Sequence, residues 1–121
     1  MWKLEAHPQF VKKLSKWPKK HRREITAMID NLDTLFAALC QGTRVEQAKR
    51  QLGFVHGKYP CGIVSVDQRG GGGGLKQTRL YAYPDEGANV LYQLTLGDKD
   101  SQPADVQFCA EWVEDHLRKR G

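Results

Sequence analysis

A chain of 121 residues with 40% hydrophobic and 27% charged residues has room for one domain around a single modest core. No apolar run nears the roughly 18 residues of a membrane span, and residues 2–23 carry charge throughout with no secretory leader pattern, so a soluble cytoplasmic protein is expected. The net charge of +5 is concentrated, with +7 on residues 1–23 and −2 on the rest, a field that draws in polyanions such as nucleic acid or an acidic protein partner.

Trp2-Lys3-Leu4-Glu5-Ala6 alternates apolar and polar residues and predicts a short first strand. The period then changes: Phe10, Val11, Leu14 and Trp17 share one helical face, after Pro8 in a position suited to a first turn. Pro18 restarts the chain, and Ile25, Met28, Ile29, Leu32, Leu35, Phe36 and Leu39 recur at helical steps up to Gly42, a natural terminator. These two helices form an antiparallel hairpin bearing Lys12, Lys13, Lys19, Lys20, Arg22 and Arg23. Thr43-Arg44-Val45-Glu46 has the spacing of a capping box and predicts a short third helix to about Leu52.

From Cys61 the period returns to two. Ile63-Val64-Ser65-Val66 is a β-branched run, Thr78 to Tyr83 alternates, and Val90, Tyr92, Leu94 and Leu96 are expected on one face of a third strand. Pro84-Asp85-Glu86-Gly87 supplies turn chemistry between the last two, giving an antiparallel meander. Five consecutive glycines, Gly70 to Gly74, predict a mobile hairpin loop. A phosphate-cradling loop would lead from strand into helix, whereas Leu75 to Tyr83 reads as strand, so a nucleotide-binding fold is set aside. Asp100 or Ser101 caps a final helix with Pro103 in its first turn and Val106, Cys109, Ala110, Val113 and Leu117 as its apolar stripe. Cys40, Cys61 and Cys109 are odd in number and lack zinc-ligand spacing, so they read as reduced core thiols, with no metal or cofactor implied.

This order makes a single α+β domain over residues 1–121, a small antiparallel sheet with the helices on one face. The hairpin Phe10-Val11-Lys12-Lys13-Leu14 through Pro18-Lys19-Lys20-His21-Arg22-Arg23-Glu24-Ile25 resembles the basic paired helices of RelE/ParE toxins. Arg79-Leu80-Tyr81-Ala82-Tyr83 is similar to their central arginine- and tyrosine-bearing strand, and Leu96-Gly97-Asp98-Lys99-Asp100-Ser101-Gln102 to the loop before their terminal helix. The resemblance implies a RelE/ParE-like fold and the toxin of a type II toxin–antitoxin system, with a cognate antitoxin covering the basic groove.

In the RelE branch the implied activity is metal-independent cleavage of messenger RNA on the ribosome, by attack of a ribose 2′-hydroxyl on the neighbouring phosphate. That chemistry needs a base, an acid and cations for the charge on the phosphoryl oxygens. On a strand Arg79, Tyr81 and Tyr83 share one side, so a cation and two phenols are expected to line one surface. Arg79 is the foremost candidate, because a guanidinium clamps phosphate through two donors; the plainer alternative is a surface arginine paired to Asp67 or Asp85. Lys76 lies just before this strand, Arg69 across the glycine loop, and Lys99 at the end of the neighbouring strand.

RelE-type enzymes carry lysines on the strand before the loop, whereas Gly62-Ile63-Val64-Ser65-Val66-Asp67 has no basic residue. His56 and Lys58, just ahead of it, are the candidates to supply the missing groups, since imidazole is suited to proton transfer. Asp98 reads either as a partner of Lys99 or as a loop anchor. The catalytic set is therefore Arg79, Lys99, Lys76, Tyr81 and His56, and the RNA-binding set is Lys12, Lys13, Lys19, Lys20, Arg22, Arg23, Lys58, Arg69 and Tyr83. Two alternatives remain: a ParE-type protein that poisons DNA gyrase by binding alone, and an interaction module with the same fold and neither activity.

Overall fold

The computed structural model describes residues 1–120. In chain order it has β1 (Lys3–Ala6), α1 (Pro8–Ser15), a 3₁₀ turn at Lys19–His21, α2 (Arg22–Cys40), α3 (Val45–Gln51), β2 (Val55–His56), a second 3₁₀ turn at Pro60–Gly62, β3 (Val64–Asp67), β4 (Thr78–Asp85), β5 (Val90–Asp98) and α4 (Gln102–Arg120). The fold is α+β. Among the described residues no helix is long and apolar enough to cross a membrane.

Local chemistry sets the helix ends. Pro8 occupies the first turn of α1, and His7 caps it by accepting the Gln9 backbone N–H on Nδ1 at 2.9 Å. α2 closes in a Schellman motif: Gly42, at φ +96°, donates to the Leu39 carbonyl, and Thr43 donates to that of Ala38. α3 forms as expected, but the capping box does not. Its N-cap is Arg44 without a side-chain cap, and the Val45 N–H is met instead by Glu86 Oε2 from the β4–β5 turn at 3.3 Å.

The sheet order is β1-β5-β4-β3-β2. β3, β4 and β5 form the expected antiparallel meander, yet the sheet as a whole is mixed, because β1 runs parallel to β5 with Lys3 opposite Val90. β2, unforeseen, adds two residues antiparallel to β3.

The helices do not all lie on one face, as the sequence suggested. Leu80 and Ala82 of β4 join Val64, Val66, Leu91 and Leu96 in a cluster with Phe10 and the Met28, Leu32, Leu35 and Leu39 stripe of α2. Tyr81 points the other way, into a second cluster with Ile63, Leu94 and the Cys109 and Val113 positions of α4. The central strands are thus buried on both sides, and each fully buried leucine contributes roughly 1.5–3 kcal/mol.

A β-bulge corrects the expected face of β5. Tyr81 pairs with Thr95 and Ala82 with Gln93, so Leu94 is the extra residue. Tyr92 and Leu94 therefore meet α4, while Leu96 meets the opposite cluster. The cysteine reading also changes: all three are free, but only Cys109 is buried, with Cys40 exposed and Cys61 half-buried.

Candidate functional site

The site grows from one cross-strand pair. β3 ends at Asp67 and β4 begins at Thr78, which sets Asp67 directly opposite Arg79. Pairing of β2 with β3 brings His56 alongside. The Asp67 carboxylate, only 11% exposed, meets His56 Nε2 at 2.8 Å through Oδ2, with Arg79 Nη1 and Arg69 Nη2 each at 3.9 Å from the same oxygen. Its Oδ1 accepts the Arg69 backbone N–H at 2.8 Å. One carboxylate thus gathers an imidazole and two guanidiniums.

The scaffold around it is tied down. Asn31 of α2 donates from Nδ2 to the carbonyls of Asp67 and Arg69, each at 2.9 Å, and Gln68 Oε1 accepts from the Thr78 amide and hydroxyl at 2.7 and 2.6 Å. The glycine loop that follows lies against α2, with Arg23 Nη2 donating to the Gly71 carbonyl at 3.2 Å.

Two adjoining depressions share Gln77 and Arg79. The first, of about 420 Å³, is lined by His56, Asp67, Gln68 and Arg69 as well, and the second, of about 270 Å³, by Lys99 and Gln102. At 3.9 Å the two guanidiniums are held loosely by Asp67, so their remaining donors are open to an incoming anion. With Asp67 on Nε2, His56 keeps Nδ1 as its other nitrogen, an arrangement in which a carboxylate orients an imidazole for proton transfer.

His56, Arg69 and Arg79 are therefore brought together, with Lys99 in the adjoining depression beyond Arg79. Tyr81 is not. It is fully buried beneath α4, edge-on to Tyr59 at 5.7 Å, with no hydrogen-bond partner for its hydroxyl, and burial pushes the phenol pKa far above its usual value. The strand alternation places Tyr81 on the side of Arg79 as expected, but α4 covers that side at Tyr81, which excludes contact with a substrate.

Tyr83 lies at the far end of β4, roughly 13 Å from Arg79 at 3.3 Å per residue. There it stacks on Tyr92 at 6.5 Å and meets Trp112 and His116 in an aromatic ledge. Lys76 turns to Asp98 at 2.9 Å, and that hydrogen bond raises the ammonium pKa and lowers that of the carboxyl. Asp98 is also the loop anchor, since its Oδ1 accepts the Asp100 and Ser101 N–H groups.

The remaining cations divide by place. Lys13 is tied at 2.6 Å to the buried Asp105, joining α1 to α4, while Lys12 lines a separate cleft of about 380 Å³ with Lys16 and Trp17. Lys19 and Lys20 sit exposed on the 3₁₀ turn, and Lys58 is exposed beyond β2. Arg22 and Arg23 open α2 and line a cleft of about 530 Å³ that also reaches Arg69.

Asp67 is the residue sequence reasoning underrated, as a mere surface partner of Arg79; the pairing of β2, too short for any periodic signal, is what makes it a hub. Comparison with protein-family models, curated proteins and solved structures finds no significant match. The functional reading therefore rests on these side chains. Among the described residues no group of three or more His, Cys, Asp or Glu side chains is placed to hold a metal ion.

Proposed function

We propose that this chain is the toxin of a type II toxin–antitoxin system, of RelE/ParE type, and that it cleaves messenger RNA on the ribosome. The observation that carries the reading is Asp67 holding His56, Arg69 and Arg79 around one open depression. The reading uses these side chains and Lys99 of the adjoining depression. His56 Nδ1 takes the proton of a ribose 2′-hydroxyl as that oxygen attacks the adjacent phosphorus. The bond to the 5′-oxygen breaks, leaving a 2′,3′-cyclic phosphate, and in this reading Lys99, from the adjoining depression, protonates the leaving oxygen. Arg79 and Arg69 hold the non-bridging oxygens, where charge builds.

Its partners in this reading are messenger RNA within the ribosome and an antitoxin whose acidic segment covers the basic face, in keeping with the +7 carried by residues 1–23. Induced expression of wild type, His56→Ala, Asp67→Asn and Arg79→Ala in a bacterial host, with primer extension on translated transcripts, tests it. Growth arrest with codon-phased cuts that disappear in the three variants is the expected result. Arrest with intact messages would replace the reading with gyrase inhibition, and absence of arrest would leave an interaction module.

A further inference from the structure

The cleft between α2 and the glycine loop, of about 530 Å³, shares only Arg69 with the reaction chemistry above. Its walls carry Arg22, Arg23 and Arg69 against a single carboxylate, Asp30. Arg69 and Gly70 line this cleft and also the depression at His56 and Arg79, which in turn shares Arg79 and Gln77 with the one at Lys99. The three depressions adjoin in pairs through these shared residues, and along them Arg22, Arg23, Arg69, Arg79 and Lys99 outnumber Asp30 and Asp67.

The glycine run shapes the cleft on α2. A β-carbon at Gly71 would stand 2.9 Å from Ala27 Cβ and 2.8 Å from Leu75 Cδ1, and one at Gly72 would stand 2.7 Å from Arg23 Nη2. Gly70 and Gly72 also take φ of +92° and +100°, a region that other residues enter at a cost. Gly71 in particular lets the loop lie close on α2, where its carbonyl accepts one donor of the Arg23 guanidinium. Its other donors remain for a ligand.

We infer that the α2–glycine-loop cleft is a second phosphate-binding subsite, which holds a single-stranded polynucleotide by its backbone to one side of the phosphate at Arg79. This rests on the proposed function for the identity of the strand, and on the adjoining depressions alone for the subsite. Guanidiniums spread along adjoining depressions suit successive phosphates of an extended strand, which a compact anion would not span.

The test is fluorescence anisotropy of the purified chain with labelled oligouridylates of twelve and three nucleotides over a salt series. The twelve-mer should bind at least ten-fold more tightly than the three-mer. Arg22→Gln with Arg23→Gln should weaken the twelve-mer about ten-fold and flatten its log K against log salt slope by roughly 1.4, for two phosphates at about 0.7 each on single strands. Gly71→Val, which changes no charge, should also weaken it. Arg118→Gln with Lys119→Gln removes the same charge from exposed positions on α4, roughly 24 Å along the helix from Gln102 at 1.5 Å per residue, and should change affinity less than two-fold.

If the arginine pair behaves like this control, the subsite is refuted. If an oligoglutamate of equal charge displaces the twelve-mer more effectively than unlabelled RNA does, the cleft takes an acidic protein segment and the inference fails. Arginine-dependent binding of the twelve-mer by a chain that makes no cuts in cells would uphold the subsite and sink the cleavage reading. Cuts in cells with an arginine-independent twelve-mer would do the reverse.

Discussion

Replacing Tyr81 by phenylalanine separates burial from catalysis. Tyr81 is fully buried against Ile63, Leu94, Cys109 and Val113, and neither its hydroxyl nor that of Thr95, its cross-strand partner, makes a hydrogen bond. A hydroxyl taken from water without a partner costs roughly 1–3 kcal/mol, whereas the ring's packing survives the change to phenylalanine. Tyr81→Phe should therefore be neutral or stabilising, by about 1 kcal/mol, which for a domain of this size raises Tm by roughly 4 °C. Tyr81→Ala, which empties the ring's volume, should cost about 3–5 kcal/mol. Urea titration followed by tryptophan fluorescence gives both values, with an unchanged m-value as the sign that the same transition is measured. A loss of more than about 1 kcal/mol in Tyr81→Phe, or, under the proposed function, loss of growth arrest at full stability, would refute the reasoning.

Three further outcomes follow from other contacts. Lys13→Ala strips the partner from the buried Asp105 and should destabilise by about 2–4 kcal/mol, toward the lower end because the lysine is 28% exposed; Lys12→Ala, on the exposed face, should stay within about 0.5 kcal/mol by the same urea titration. Burial lowers the pKa of His7 from its ordinary 6.5, and its Nδ1 must stay unprotonated to cap α1. The unfolded chain then binds the proton more readily, so this contribution is complete above pH 6.5 and declines as pH falls below it; His7→Asn, which keeps a capping oxygen, should show a shallower loss of urea midpoint between pH 6.5 and 5. Maleimide labelling read by mass spectrometry should modify exposed Cys40 at once and spare Cys109 until unfolding, because burial pushes that thiol up to about 12.

Helical periodicity located α1, α2 and α4 because each buries most of one stripe, with Val11 of α1 and Leu117 of α4 left exposed, a pattern local to ten or twenty residues. The sheet was legible only in part. β2 is two residues long and β1 finds its partner at the opposite end of the chain, so neither leaves a periodic trace of its pairing. Alternation put Arg79, Tyr81 and Tyr83 on one side correctly, but a period of two does not say which side is wet. β4 is apolar on both faces because helices cover both, and the bulge at Leu94 reverses the pattern of β5 midway. Arg79 and His56 were legible as chemical types, whereas the carboxylate that joins them depends on the β2–β3–β4 register.

The parallel pairing of β1 with β5 also orders events during synthesis. Of the strands in this sheet Lys3–Ala6 is made first, and its backbone partners, Val90 to Gln93, belong to the strand made last. Until then β1 has no neighbour, and the chain must hold its first strand open across most of its length, the kind of long closure that slows folding. A nascent chain interrupted before β5 therefore lacks the sheet edge on which α1 packs and cannot close its core. The fold that carries the His56, Asp67 and Arg79 cluster is therefore closed only once β5 has been made.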